Sequence, residues 1–238
     1  MLVRVPTLYV PRYPTPPLSF PGVSVAILKV AQMGHPVLRR VAEPVDPAAI
    51  RTPAFRRVCQ DLLDTMDEYD GAGLAAPQVH LSVRVVVRTL DGSEGPEVWV
   101  NPVLTPLTDR TSATYEGCLS VEGMRGRVAR PARIHVRFLD DEGAERAYVL
   151  QGFPAVVAQH ECDHLDGVLY IDKADPRTLA FLPEFRKFGR MDEYEDAPPE
   201  DLDDEPELGD AVIEVPADLS AAEALALAEP HLLSSEEE

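Results

Sequence analysis

The chain has few cysteines. It contains three in 238 residues, Cys59, Cys118 and Cys162, and no two of them are closely spaced. An odd number without a spacing pattern predicts no disulfide framework, and a chain of this kind is typical of a reducing compartment. Most free cysteines are small buried apolar residues, although a thiolate can also bind a metal ion.

Long apolar runs are also missing. No stretch of about 18 apolar residues is available to span a membrane. Residues 1–24 lack the apolar segment of a secretory signal and contain six prolines, which disfavour a stable helix or a central strand. We expect these residues to form an extended, disordered arm on a cytoplasmic, bacterial-type protein, and import into an organelle stays open because the arm carries two arginines.

Basic residues are missing from the other end. Residues 191–238 contain 18 Asp or Glu and no Lys or Arg, which accounts for most of the net charge of −19. Such a segment repels phosphate and is usually disordered. We therefore predict no direct nucleic-acid binding and a largely disordered acidic tail over 191–238, with a possible short helix after Ser220.

One motif points to catalytic chemistry. Residues 160–164 read H-E-C-D-H, and two histidines four apart on a helix lie on one face, where His160 and His164 can bind one ion. Glu161 lies beside that ion, where a general base is needed. The apolar run over 155–158 predicts a buried helix, in which a metal would satisfy the polar groups. A pair of hydrogen-bonded core histidines is the alternative.

A catalytic site of this type usually has a third protein ligand. Downstream of His164 the chain offers only His231 and acidic residues. Upstream, Cys118 lies in the stretch Y-E-G-C-L-S, and a thiolate is a strong ligand for divalent iron, cobalt or zinc. The alternative for Cys118 is a packing role in the core.

A third segment, residues 71–78, reads G-A-G-L-A-A-P-Q. Its two glycines permit close backbone approach or positive φ, although an ordinary turn would explain them equally well. The segment lacks the third glycine of a dinucleotide-binding loop, so that interpretation is rejected. Gln78 is an amide among apolar residues and can donate an N–H group to a carbonyl oxygen.

The order and spacing of G-A-G-L-A-A-P-Q, E-G-C-L-S and Q-H-E-C-D-H resemble the three signature motifs of the peptide deformylases. The resemblance runs from about Val25 to Lys187 and includes D-G-V-L-Y after the histidine helix. It implies the metal ligands Cys118, His160 and His164, with Glu161 as the acid–base group. It also implies carbonyl-polarising donors and substrate-binding residues: Gln78 and the backbone N–H of Leu119, and Gly73, Gly117 and Arg125. Residues 121–124, V-E-G-M, depart from the commoner proline-containing version, which leaves the shape of the pocket rim open.

The resemblance further implies removal of the N-formyl group from the N-terminal methionine of newly synthesised proteins, with release of formate. The substrates would be formyl-methionyl nascent polypeptides near the ribosome, with no membrane partner. The cofactor would be one divalent ion, with Fe²⁺ as the first choice and Zn²⁺, Ni²⁺ or Co²⁺ as alternatives. Two other classes remain: a zincin-type endopeptidase with a downstream third ligand, and a non-catalytic module with four protein ligands on its metal.

The rest of the sequence mixes two periodicities. Apolar residues from Phe55 to Tyr69 recur at intervals of three and four, which predicts one helix. Alternation over 83–87 predicts a strand with one solvent-facing side, 98–100 a further strand, and 134–138 with 146–150 a hairpin. We predict an α+β fold of mostly antiparallel sheets packed around a buried metal-binding helix, in a catalytic domain of residues 25–190.

Overall fold

A computed structural model describes residues 26–89, 95–188 and 209–234. The predictions for the arm over 1–24, and for the tail over 191–208 and 235–238, lie outside the described residues. Within the described part, no helix is long and apolar enough to cross a membrane.

Two antiparallel sheets form the framework. One has six strands in the order β1-β2-β3-β6-β7-β9, and the other has three in the order β4-β5-β8. The strands are β1 (Gly73–Ala75), β2 (Val85–Thr89), β3 (Pro96–Pro106), β4 (Thr111–Cys118), β5 (Val121–Pro131), β6 (Arg133–Leu139), β7 (Glu145–Gln151), β8 (Ala180–Phe181) and β9 (Ala211–Val215). The α-helices are α1 (Pro47–Ile50), α2 (Pro53–Glu68), α3 (Phe153–Leu165), α4 (Leu182–Phe188) and α5 (Ala221–Ser234), and a 3₁₀ helix over Ala76–Val79 follows β1.

Helices cover both faces of the larger sheet. Alternate residues of a strand point to opposite sides, so neighbouring residues show which helix covers each face. Val86 belongs to the same core cluster as Ala158 of α3, whereas Val85 belongs to the cluster that contains Leu62 of α2. Val149 packs with residues of α5. Ten of the thirteen residues of α3 are buried. The predicted α+β fold around a buried helix is confirmed.

The prediction of a solvent-facing side for β2 is wrong. Arg88 is completely buried, and its guanidinium carbon lies 4.5 Å from the centroid of the Trp99 ring. Val86, on the same side of the strand, is also completely buried. Side chains on both faces of β2 are buried because helices cover both faces. In the sequence, the uninterrupted run V-V-V indicates such a strand better than the flanking arginines do.

Residues 209–234 contain the short helix predicted after Ser220, and also a strand where a disordered segment was predicted. Strand β9 pairs with the outer edge of β7 over five residues. Helix α5 begins after Ser220, whose N–H and hydroxyl both donate to the Glu223 carboxylate. The densest run of acids lies before Gly209, whereas Ala224, Ala228 and Leu232 repeat every four residues and bury one helical stripe against β7. A charge count over the whole tail could not separate these two parts.

The docking of α5 predicts a large difference between two of its leucines. Leu232 is completely buried, and Leu232→Ala is expected to lower the free energy of unfolding by about 2–5 kcal/mol. Leu227 is 51% exposed, so Leu227→Ala should change that free energy by about 0.5 kcal/mol or less. Chemical denaturation of both variants measures the difference, and equal effects would contradict the docked helix.

Stability should also depend on His135 of β6. Its side chain is buried, its Nε2 has no hydrogen-bond partner among the described residues, and burial, aided by the charge of Arg137, lowers its pKa. As the pH falls, His135 therefore takes up its proton at a higher pH in the unfolded state than in the folded state. The stabilisation is complete above about pH 6.5, the unfolded pKa of histidine, and declines as the pH falls below it. Denaturation of the wild type and of His135→Gln at several pH values tests this, because the variant should lose part of the acid-side slope.

Candidate metal centre

Three ligand-type side chains converge where α3 passes the end of β4. His160 and His164 lie one turn apart on α3, and Cys118 is the last residue of β4. Their ligand atoms all lie within 4.8 Å of one another, and Cys118 Sγ is 3.2 Å from His164 Nε2. Within the described ranges this is the one group of three or more residues that could hold a metal ion. His231 is exposed on α5 and is not part of it.

The turn after β4 holds the cysteine in place. The ladder between β4 and β5 shifts register between Glu116 and Cys118, which marks a bulge next to the thiol. The backbone N–H of Ser120 donates to Cys118 Sγ over 3.4 Å. Gln78 Nε2 also lies 3.6 Å from that sulfur, while Gln78 Oε1 accepts a 2.8 Å hydrogen bond from the N–H of Ala75. These contacts fix the position of the Cys118 sulfur and the orientation of the Gln78 amide.

A buried ion-pair network orients His160. Glu116 Oε2 lies 2.7 Å from His160 Nδ1, which leaves Nε2 for the cluster. Arg130 Nη2 donates to Glu116 Oε2 over 2.9 Å, and Arg130 Nη1 donates to Asp163 Oδ2 over 2.8 Å. Lys173 pairs with the other oxygen of Asp163. The network links β4, β5 and α3, so the imidazole is held by three elements.

Glu116, Arg130 and Asp163 were not predicted from the sequence as site residues. Glu116 and Asp163 belong to the motifs quoted above. Carboxylates often accept a hydrogen bond from a metal-binding histidine, so acidic residues in these motifs are candidates for that role. Arg130 has no comparable indication in the sequence, because its position depends on the pairing of β5 with β4.

The electrostatics of the cluster suit a cation. Burial disfavours a charge on His160, but hydrogen bonds to Cys118 and Glu116 outweigh it and raise the pKa of His160 to about 10. Burial lowers the pKa of His164 well below its usual value, which keeps that imidazole neutral. A thiolate and two imidazole nitrogens are a ligand set for divalent iron, cobalt, nickel or zinc. These three residues therefore fit one divalent ion, which would take the place of the proton that the surroundings of His160 favour.

Glu161 lies beside the cluster without belonging to it. Its carboxyl group is buried, and Oε2 has no hydrogen-bond partner within the residues that the structure describes. Burial raises the pKa of Glu161 to about 7, against the opposing charges of His160 and Arg88. A side chain at Gly73 would place its Cβ 2.7 Å from Glu161 Cγ, so only glycine lets β1 come this close.

A cavity of about 570 Å³ opens beside these groups. His164 is not among the residues that line it, but the other predicted site residues are: Cys118, His160, Glu161, Gln78, Leu119, Gly73, Gly117 and Arg125. Arg125 covers Gly117 so closely that a Cβ at Gly117 would lie 2.1 Å from Arg125 Nη1. The structure thus brings the sequence-predicted residues together in one place.

A buried glutamate next to a cysteine and two histidines, beside a cavity, is the arrangement expected of a metal-dependent hydrolase. Residues 27–180 match the family model described as Polypeptide deformylase. The chain belongs to this family, whose members are metal-dependent and remove the N-formyl group from the N-terminal methionine of new polypeptides. The predicted family and activity are confirmed.

Relatives and solved structures agree with the family. The chain is 41% identical over 186 residues to peptide deformylase 1 of Prochlorococcus marinus, covering 73% of this chain and 94% of that protein. It is 36% identical, with a TM-score of 0.59, to an actinonin-bound class I type b peptide deformylase from Acinetobacter baumannii, covering 64% of this chain and 100% of that one. The peptide deformylase from Thermotoga maritima has the same identity and TM-score over 63% of this chain and 99% of its own.

Proposed function

We propose that this protein deformylates nascent polypeptides in the cytoplasm, close to the ribosome, with Cys118, His160 and His164 as the ligands of one divalent ion. The observation that carries the proposal is the convergence of these three residues in one cluster, two of which line the same cavity as Glu161. When bound, such an ion supplies Lewis acidity and makes water a nucleophile at neutral pH. Everything else in the reaction depends on side chains and backbone of this chain.

Glu161 is the proposed acid–base residue. It takes a proton from the attacking water and later gives one to the nitrogen of the leaving amine, so that formamide and water become formate and a free amino group. Its position suits both transfers, because the carboxyl group lies next to the ligand cluster and lines the cavity. A nearby cation would favour its carboxylate form, against the burial that raises its pKa.

Gln78 and the backbone N–H of Leu119 are the proposed donors to the oxyanion that forms at the formyl carbon. Both residues line the cavity, and the hydrogen bond from Ala75 to Gln78 Oε1 directs the NH₂ group towards the cluster. A preorganised donor of this kind is worth about 3 kcal/mol of transition-state stabilisation.

The walls of the cavity suit an N-terminal peptide. Gly73 belongs to β1, the edge strand of the six-stranded sheet, which offers backbone groups to an extended chain. Arg125 and Gly117 also line the cavity, and the guanidinium can donate hydrogen bonds to substrate carbonyl groups. Phe153 and Val157 on α3 form an apolar wall for the methionine side chain.

Ferrous iron is the proposed metal. A thiolate with two imidazoles would also hold nickel, zinc or cobalt, so the ion decides sensitivity to oxidation more than it decides binding. Dilute peroxide is expected to inactivate the iron-loaded protein faster than the nickel-loaded protein, through oxidation of the ion or of Cys118. Loss of activity at equal rates in both forms would contradict iron as the oxidation-sensitive native ion.

The activity is tested by formate release from formyl-Met-Ala-Ser under anaerobic conditions, with metal content measured on the same sample. Acetyl-Met-Ala-Ser is the matched control, and we expect it to be hydrolysed far more slowly. A peptide blocked at both ends tests the zincin alternative, and cleavage of its internal bonds without formate release from the first peptide would overturn the proposal.

A further inference from the structure

The beginning of α3 is held by a segment from the other end of the chain. Asp210 Oδ1 accepts a 2.7 Å hydrogen bond from the backbone N–H of Phe153, the first residue of the helix. The residue at the N-cap position, Gly152, has no side chain with which to cap the helix. Gln151 Nε2 donates to the carbonyl of Gly209 over 2.9 Å. Asp210 thus acts as a helix cap supplied from a distance.

The fit between the two segments is close. Gly152 has φ of +68°, and a Cβ there would lie 2.3 Å from Asp210 Oδ1 and 3.0 Å from Asp210 Cα. Pairing of β9 with β7 ends at Gln151 and Ala211, so the residues in contact follow directly from the ladder. The docked helix α5 anchors the far end of β9. The segment 209–234 lies beyond residues 27–180, the part that matches the family model.

Phe153 connects this contact to the proposed substrate cavity. Together with Val157 it lines that cavity and also a second cavity of about 680 Å³, and Asp70, Gly71 and Ala72 likewise line both. Phe153 and Val157 are the part of this shared wall that α3 supplies. Phe153 lies in the first turn of α3 and is 51% exposed, so only part of its surface packs against other residues. The wall therefore depends on how firmly that turn is fixed.

We propose that Asp210 is a positioning residue that fixes the first turn of α3 and thereby sets the selectivity of the enzyme for the first side chain of its substrate. The inference rests on the proposed function, because it takes Phe153 as a wall of the methionine pocket. His160 follows Phe153 by two helical turns, a rise of about 10 Å. Asp210 consequently acts on the pocket wall and leaves the metal ligands in place.

The test uses full-length Asp210→Ala with formyl-Met-Ala-Ser and formyl-Ala-Ala-Ser as substrates. The preference for methionine, taken as the ratio of the two kcat/KM values, should fall roughly three- to tenfold, the range expected for loss of one capping hydrogen bond. The change should appear in KM for the methionine substrate, with kcat and metal content within about twofold of the wild type. Asp210→Asn should restore the preference, because an amide oxygen can accept the same hydrogen bond.

Two controls separate positioning from general destabilisation. Asp218→Ala removes an exposed carboxylate in the turn between β9 and α5 and should leave the preference unchanged. Phe153→Ala should lower the preference directly, and adding Asp210→Ala to it should have no further effect. An unchanged preference in Asp210→Ala, equal losses with both substrates, additive effects in the double variant, or failure of Asp210→Asn to restore the preference would each overturn the proposal.

Hydrogen exchange provides a readout that does not depend on activity. The amide of Phe153 should exchange faster in Asp210→Ala than in the wild type or in Asp218→Ala. Faster exchange without formate release by the wild type would support the contact and contradict the proposed function. Equal exchange rates in all three proteins would contradict the capping contact itself.

Discussion

Replacing Glu161 with glutamine is expected to lower kcat for formyl-Met-Ala-Ser by about 10²–10⁴-fold, the usual contribution of a general base. The amide keeps the size of the side chain but cannot take a proton from water or pass one to the leaving nitrogen. Metal content should stay at one ion per chain, because Glu161 lies beside the cluster of ligand atoms and is not a member of it. Steady-state kinetics and metal analysis on the same sample measure both quantities.

Glu122→Gln is the matched control for this change. Glu122 lines the same cavity and is exposed, so the substitution removes the same charge from the same cavity. We expect its kcat to stay within a few-fold of the wild type. Loss of the metal from Glu161→Gln would mean that Glu161 is a ligand, and equal losses of kcat in the two variants would mean that it has no special role.

Cys118→Ser should retain the fold but bind its metal far more weakly. A hydroxyl group is a poor substitute for a thiolate, and loss of a direct ligand should exceed the 10–100-fold effect typical of outer-shell changes. The expected result after dialysis is a protein with much less than one ion per chain and a corresponding loss of formate release. Metal analysis of dialysed samples is the measurement.

Cys162→Ser is the control. Cys162 is buried on α3, the helix that carries His160 and His164. It is not part of the ligand cluster, and burial raises the pKa of its thiol. The Cys162→Ser protein should therefore keep its metal, although the buried hydroxyl is expected to lower the free energy of unfolding. Unchanged metal stoichiometry in Cys118→Ser, or loss of metal from Cys162→Ser instead, would contradict the proposed ligand set.

The parts of the site that could be predicted from the sequence are those that local patterns determine. The spacing of His160 and His164 follows from helix geometry, and the apolar run before them predicts burial. Cys118 lies about forty residues after Gln78 and about forty residues before the histidine motif. Only the resemblance to a family therefore predicted that these residues belong to one site. In the structure Cys118, Gln78 and His160 line one cavity, and His164 lies in the same ligand cluster as Cys118 and His160.

The parts that could not be predicted depend on contacts between distant segments. Arg130 joins Glu116 to Asp163 only because β5 pairs with β4 and α3 crosses behind them. Arg88 was expected in solvent, and its burial against Trp99 depends on α3 covering that side of β2. Asp210 reaches the start of α3 through the β7–β9 pairing, for which a strongly acidic tail gives no local sign.

We propose that one divalent ion bound by Cys118, His160 and His164 makes this chain active as a deformylase. The most direct test is an anaerobic titration of the metal-free protein with Fe²⁺, in which formate release from formyl-Met-Ala-Ser is followed at each addition. We predict no activity without metal and a linear rise that levels off at one ion per chain. Activity in the metal-free protein, or no formate release at any level of Fe²⁺, Ni²⁺, Co²⁺ or Zn²⁺, would contradict the claim.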